Sequence, residues 1–370
     1  MIATKTFEKE WINDLSKQFG RKRLANPELI EKVTKALHLL ELLSLSDLDF
    51  IFKGGTSLLL LLNKVHRFSI DIDIIIERKK DETDIDSLLD AIVQKSDVFE
   101  SWQENNRHAS GIPKAHYKLF YNSALDPSEQ RYILLDILFE ENHYTELVDK
   151  EINCEFISYD EPAATVRMPS IDSILGDKLT AFAPQTTGIQ YGKGKELEII
   201  KQLFDIENLF NEMENVGIVN TTFRKFASQE LVYREKESLQ VDEVLLDIFY
   251  TSTIICAQGS IGAEEFKSLQ EGISKITDYI FTRNYLMRDA LVSAAKAAYL
   301  SQILLSGRDQ IERFSGDKIE DWKIERPLNL RGDETKIWRP RNINNVKKTS
   351  PEAFFYLFKA LEIHFDEVMV

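Results

Sequence analysis

The sequence predicts an α+β (mixed α/β) protein in two domains, a mixed-sheet domain over residues 1–168 and an all-helical domain over residues 169–370. Three observations predict it. The β-branched and aromatic runs Ile70–Ile76, Ala115–Tyr121 and Arg131–Phe139 read as strands, because such side chains suit a pleated, half-buried surface. Stretches with helical spacing precede and separate them, the alternation of a mixed sheet. From Pro169 onward the strand pattern stops and apolar residues recur at helical intervals. At 370 residues and 43% hydrophobic content the chain is long enough for two well-buried domains.

Composition excludes several classes. No apolar run approaches the roughly 18 to 20 residues needed to span a bilayer, and Met1–Lys5 lacks the apolar core of a signal peptide. Cys154 and Cys256 are far apart and form no metal-ligand spacing, so a reducing cytoplasm is the simplest location and no membrane partner is expected. A net charge of −15 argues against broad coating of nucleic acid. It leaves room for a local basic groove, for which the span from Arg326 to Lys348 is the candidate. That span holds Arg326, Arg331, Lys336, Arg339, Arg341, Lys347 and Lys348 against Asp333 and Glu334, with Trp338 able to stack on a base. The competing reading is a surface loop whose cations pair with the acidic remainder of the chain.

Residues 5–48 form a helical preface with Ile30, Val33, Leu37 and Leu40 on one stripe. Phe50-Ile51-Phe52 then reads as a strand, Gly54-Gly55 as a tight turn, and the leucine block Leu58–Leu62 as a buried helix. A turn placed there sits at a helix N-terminus, where free N–H groups hold an anion, and glycines let a phosphate approach the backbone. In the next strand a period of two puts Asp71 and Asp73 on one face. Paired carboxylates are costly without a cation, and hard oxygen ligands suit Mg²⁺ held together with substrate phosphates. A charged turn, Arg78–Asp84, leads into a helix around Ser87–Val93, and the turn Leu125–Ser128 joins the two later strands. Asp136 interrupts an otherwise apolar strand, so it must be paired, hydrogen-bonded or metal-bound, and it is the candidate third carboxylate.

In the second half, Ser170 can cap a helix with the stripe Ile171, Ile174, Leu175, Leu179, Phe182. Lys178 lies on that stripe and must meet an anion such as a triphosphate, snorkel, or pair with a core carboxylate. The loop Pro184–Lys195 is punctuated by glycines; it either closes over a nucleotide through Lys193 and Lys195 or is a mobile connection. The helix Glu196–Phe210 has the face Ile199, Leu203, Ile206, Phe210, with Asp205 off that stripe. Residues 220–310 continue as helices, Ser293–Ala298 is suited to close helix packing, and Pro351–Val370 is an amphipathic terminal helix.

A glycine turn, two same-face aspartates on a strand and an isolated aspartate in a later strand are the parts that two-metal phosphoryl or nucleotidyl transfer requires. Gly54-Gly55-Thr56-Ser57 with His66-Arg67-Phe68-Ser69-Ile70-Asp71-Ile72-Asp73 resembles the first motif of the AbiE-type (AbiEii-like) nucleotidyltransferase toxins, in the DNA polymerase β-like superfamily. Arg-Phe-Ser-x-Asp-Ile-Asp is the specific part. The resemblance covers about residues 45–210 and implies a polymerase β-like nucleotidyltransferase domain followed by a helical domain that completes the nucleotide cleft. It implies Asp71, Asp73 and Asp136 as ligands of one or two Mg²⁺ ions and Gly55 and Thr56 against the nucleotide phosphates. Gly54, Ser57, Arg67 and Ser69 of the same motif and Lys178 are further candidate nucleotide contacts, and Lys193 is one through the loop reading. Lys178 in Gly-Asp-Lys-Leu-Thr-Ala matches the family's lysine. Lys201-Gln202-Leu203-Phe204-Asp205-Ile206 matches its Arg-Asp-Leu-Tyr-Asp-Leu helix loosely, which puts Asp205 at an active-site aspartate. The spacer before Asp71 is slightly longer than the family's, which predicts a lengthened first helix. By resemblance the protein is the Mg²⁺-dependent toxin half of a type IV-like toxin–antitoxin or phage-defence pair, with NTP as donor, RNA such as a tRNA 3′ end as acceptor, and a cognate antitoxin. The alternatives are an antibiotic-modifying nucleotidyltransferase and a non-catalytic regulatory protein of the same fold.

Overall fold

The computed structural model describes residues 1–20, 25–64, 66–105, 112–333 and 335–367, and the chain divides into two units. The first comprises Met1–Ser170 with Asp278–Asn284, the second Ile171–Thr277 with Tyr285–Val370.

In the first unit the chain runs α1 (Lys9–Phe19), α2 (Pro27–Ser44), β1 (Ile51–Lys53), α3 (Leu58–Leu61), β2 (Ile72–Ile76), α4 (Ile85–Lys95), β3 (Ser101–Glu104), β4 (Lys114–Asn122), β5 (Gln130–Phe139), β6 (Leu147–Glu151) and β7 (Thr165–Pro169). Among the described residues β1 to β5 form one sheet in the order β1-β2-β5-β4-β3, and β6 pairs with β7. The sheet is mixed, as the sequence predicts: β2 and β5 are parallel, and the other neighbours antiparallel. A parallel pair needs a crossover, which α4, β3 and β4 supply. The β4–β5 hairpin turns at Asp126, whose carboxylate accepts from the Ser128 N–H at 3.0 Å.

Alternation along β4 and β5 buries Tyr117, Leu119, Ile133, Leu135 and Ile137 on one face. The other face is only partly covered, and it carries the polar residues described below. Helix α2 starts where Asn26 accepts from the Glu28 N–H at 2.9 Å with Pro27 in the first turn. Its stripe Ile30, Val33, Leu37, Leu40 is fully buried. Burial extends past the stripe: Glu31 is also inaccessible and accepts from Ser123 Oγ (2.9 Å), the Ala124 N–H (2.6 Å) and Arg131 Nη1 (3.1 Å).

Two features of this unit depart from expectation. The leucine block forms a single turn of helix, Leu58–Leu61, so the longer spacer does not lengthen it; the chain leaves it through bends and irregular backbone at 62–64. And residues 278–284, within the stretch expected to be helical, lie in this unit. The Phe68 N–H donates to the Tyr279 carbonyl at 2.9 Å, Arg67 bridges Ile280, and Phe281 packs 4.6 Å from Phe68 and 5.7 Å from Phe156.

The second unit contains α5 (Ile171–Ala181), α6 (Glu196–Glu212), α7 (Val216–Tyr233), α8 (Val241–Cys256), α9 (Ala263–Lys275), α10 (Met287–Leu305), β8 (Leu328–Asn329), β9 (Ile337–Trp338), α11 (Pro340–Thr349) and α12 (Pro351–Glu367). Small residues let α10 sit close to its neighbours: Ala294, Ala295, Ala297 and Ala298 are fully buried. The basic span forms the β8–β9 ribbon and α11, and Trp338 is 1% exposed. Base stacking by Trp338 is thereby overturned, since its ring is spent on the core. The pairing reading accounts for several cations: Arg331 Nη2 meets Asp247 at 2.5 Å, Lys336 meets Glu265 at 2.8 Å, and Lys347 donates to the carbonyls of Glu320 and Trp322. Among the described residues no helix is long and apolar enough to cross a membrane.

Lys35 gives a test of the first unit. It is 5% exposed, its ammonium 4.5 Å from the Phe7 ring, and burial, only partly offset by Glu31, lowers its pKa from 10.5 to about 8. The unfolded chain therefore binds more protons at this residue between those values, so the Lys35 contribution to stability rises with pH. Relative to Lys35→Met, the wild type is expected to gain about 2 kcal/mol between pH 8 and 10, read as a rise of its urea midpoint against the variant's. The Cys154 and Cys256 thiols, pushed up to about 12, act in the opposite direction in both proteins and cancel in the comparison.

Candidate active site

Four neighbouring strands bring one residue each to a single row. Lys53 on β1 pairs with Asp73 on β2, Asp73 with Asp136 on β5, and Asp136 with His116 on β4. Adjacent strands lie roughly 4.8 Å apart, so two carboxylates are neighbours, with a lysine on one flank and an imidazole on the other. All four lie on the partly covered face and are partly exposed. Asp136 is tolerated in its apolar strand because it points away from Leu135 and Ile137, keeps 28% of its side chain exposed and meets His116 Nδ1 at 2.6 Å. Asp71 precedes β2 by one residue and alternates with the buried Ile72, which leaves it on the Asp73 side of the strand.

The glycine turn fits against this row. Gly54 has φ +81°, and a Cβ there would collide with the Asp73 carboxylate, so the carboxylate lies directly over the turn. At Gly55 a Cβ would come within 2.7 Å of both Arg67 Nη2 and Ser69 Oγ. The guanidinium and the hydroxyl thus converge on a backbone position that carries no side chain. Arg67 is 7% exposed and donates through Nη1 to the Phe68 carbonyl at 2.9 Å, which aims the rest of its planar fork. Thr56 and Ser57 are fully buried; Thr56 Oγ1 donates to the Asp71 carbonyl at 2.6 Å and Ser57 Oγ to the Gly54 carbonyl at 2.8 Å. Their hydroxyls hold the turn in shape and tie it to the aspartate strand. Because α3 is a single turn, its dipole contributes little to the turn.

Among the described residues no three His, Cys, Asp or Glu side chains converge as a self-sufficient metal cage. The donor chemistry nevertheless suits Mg²⁺, which is commonly held by one or two carboxylates while water and substrate phosphates complete its shell. Asp73 and Asp136, opposite each other on parallel strands, provide such a pair.

In the helical unit Lys178 Nζ meets Asp205 Oδ2 at 3.0 Å, with side chains 8% and 2% exposed. Of the readings open for Lys178, pairing with a core carboxylate is the one observed. Asp205, off the apolar stripe on the helical wheel, is nonetheless buried, because α6 is covered around most of its circumference from Leu203 to Phe210. The loop Pro184–Lys195 is fixed at its base: Asp247, 1% exposed, accepts from the N–H groups of Gln185 (2.8 Å) and Thr186 (2.9 Å), and Lys236 donates to both their carbonyls. Its tip, with Gly192 and Gly194 at positive φ and exposed Lys193, is open. The row also contains Lys53, which opens the glycine-turn stretch in the sequence, and His116, which is absent from the sequence-derived set. Only the register could have found His116: counting back through the hairpin from Asp136 gives it.

Removing one partner of a buried ion pair takes compensation away from the charge that stays. Lys178→Met is expected to cost roughly 3–5 kcal/mol, and the Lys178→Met/Asp205→Leu double variant clearly less than the sum of the singles. Chemical denaturation of the three variants measures this.

Comparison with known proteins bears on the whole arrangement. A solved structure, an antigenic nucleotidyltransferase-like protein from Paracoccidioides brasiliensis, is similar over 57% of this chain and 93% of that one, at 12% identity and a TM-score of 0.36. No curated protein matches the sequence. The family model for nucleotidyl transferase AbiEii toxin, type IV TA system, matches residues 38–273. That span exceeds half of the chain and contains the glycine turn, the whole Lys53–His116 row, Lys178 and Asp205, so the chain belongs to the AbiEii nucleotidyl transferase toxin family of type IV toxin–antitoxin systems.

Proposed function

We propose that the protein transfers a nucleotide from an NTP to an RNA acceptor, with the 3′ end of tRNA as the first candidate, in a Mg²⁺-dependent reaction controlled by a cognate antitoxin in the cytoplasm. The observation that carries this reading is the adjacency of Asp73 and Asp136 beside a glycine turn onto which Arg67 and Ser69 converge.

In this reading Arg67, Ser69 and the backbone of Gly54 and Gly55 bind the triphosphate, the guanidinium matching phosphate oxygens through its fork. Asp73 and Asp136, with Asp71 beside them, hold one or two Mg²⁺ ions, which when bound neutralise charge developing on the transferred phosphate. The acceptor hydroxyl attacks the α-phosphorus; its P–O bond forms as the bond to pyrophosphate breaks, and the hydroxyl proton passes to solvent or a nearby carboxylate. Asp136, at the partly open edge of the carboxylate pair, is the residue nearest the acceptor in this scheme. Lys178, Asp205 and Lys193 enter through the family motif and the loop sequence.

The test incubates protein with α-³²P-labelled NTPs and Mg²⁺, with total RNA in one arm and aminoglycosides in another. Labelled RNA from wild type is expected, with a loss of at least about 100-fold in Asp73→Asn. Label confined to the small molecule would contradict an RNA acceptor. Absence of label in every arm would contradict nucleotidyl transfer.

A further inference from the structure

We infer that His116 is a positioning residue for the metal site: it donates Nδ1–H to Asp136 and so fixes which oxygen of that carboxylate is presented to a divalent cation. The inference rests on the reading that Asp136 is a metal ligand and assigns a residue that the motif-derived set does not contain.

Geometry carries it. His116 and Asp136 are direct partners in the β4–β5 register, so the hairpin itself sets their separation. The contact is 2.6 Å, Nδ1 to Oδ1, slightly shorter than the roughly 2.7–2.9 Å usual for a charge-assisted N–H···O bond. The imidazole is 12% exposed, which shields the bond from competing water, whereas Asp136 is 28% exposed and keeps access to the open face. With Oδ1 engaged by the imidazole, Oδ2 is the oxygen left for a cation. The donor must carry its hydrogen on Nδ1, so the bond also fixes the tautomer. Imidazole–carboxylate contacts of this kind, one shell out from an ion, hold ligands in a binding orientation and affect metal affinity by about 10–100-fold.

The competing explanation is a cross-strand pair that steadies the hairpin, a contribution of order 0.2–1 kcal/mol. The two differ in what they move. A hairpin role shifts unfolding and leaves metal affinity alone. A positioning role shifts metal affinity and is rescued by any side chain that returns an N–H to the Nδ1 position. Asparagine does so, since its amide nitrogen sits about where Nδ1 does, and phenylalanine keeps the ring without the donor.

The experiment follows Mn²⁺ binding by electron paramagnetic resonance, with Mn²⁺ alone and with an equimolar mixture of α,β-imido nucleoside triphosphates, alongside thermal melts. His116→Phe is expected to weaken Mn²⁺ binding by about 10–100-fold and His116→Asn to stay within about 3-fold of wild type. If His116→Phe does not fold, His116→Gln, whose amide nitrogen reaches past the Nδ1 position, carries the same expected loss. Wild-type affinity in the variant lacking the donor, or equal losses with Asn and Phe, would overturn the inference while leaving the metal reading in place. A wild-type protein that binds no Mn²⁺ in either condition would overturn both.

Discussion

The parallel pairing of β2 with β5 is the constraint on which the candidate site depends. It places Asp73 opposite Asp136, two residues far apart in sequence, and the rest of the first unit serves that register. The crossover through α4, β3 and β4 makes parallel pairing possible. Ile72, Ile74, Leu135 and Ile137 lock it by burying the opposite face, because a slip of one residue would turn the carboxylates into the core. Neighbouring carboxylates repel each other, and the fold gives them solvent access and, at Asp136, a hydrogen bond from the imidazole on β4.

The glycine turn is the second constraint, and it is steric. Gly54 accommodates the Asp73 carboxylate and Gly55 the convergence of Arg67 and Ser69, so each glycine reserves space for a specific polar group. The buried hydroxyls of Thr56 and Ser57, candidate nucleotide contacts in the sequence, donate to the Asp71 and Gly54 carbonyls and hold the turn in shape.

Much of this was legible in the sequence, because periodicity is a local signal. The strands carrying Asp73 and Asp136, the helix α2 stripe and the helical second half all follow from spacing of apolar residues. What escaped depends on contacts between distant residues. His116 could be placed only once the hairpin register was known. Asp205 lies off the stripe of its helix and is buried all the same, because α6 is surrounded. Trp338 sits in a basic span, and its burial comes from tertiary packing of a ribbon that propensity does not reveal. The return of residues 278–284 to the first unit is likewise a long-range event. The family motif spoke to residue types near the turn and said nothing about the imidazole beside Asp136.

The central claim is that Asp73 and Asp136 form one cation-binding position against the glycine turn. The measurement that tests it most directly is anomalous diffraction from crystals soaked with Mn²⁺ and an α,β-imido nucleoside triphosphate. The account predicts a peak coordinated by both carboxylates, with the triphosphate reaching the Gly54–Gly55 turn. A bound triphosphate with Mn²⁺ elsewhere, and no peak at Asp73 and Asp136, would contradict it.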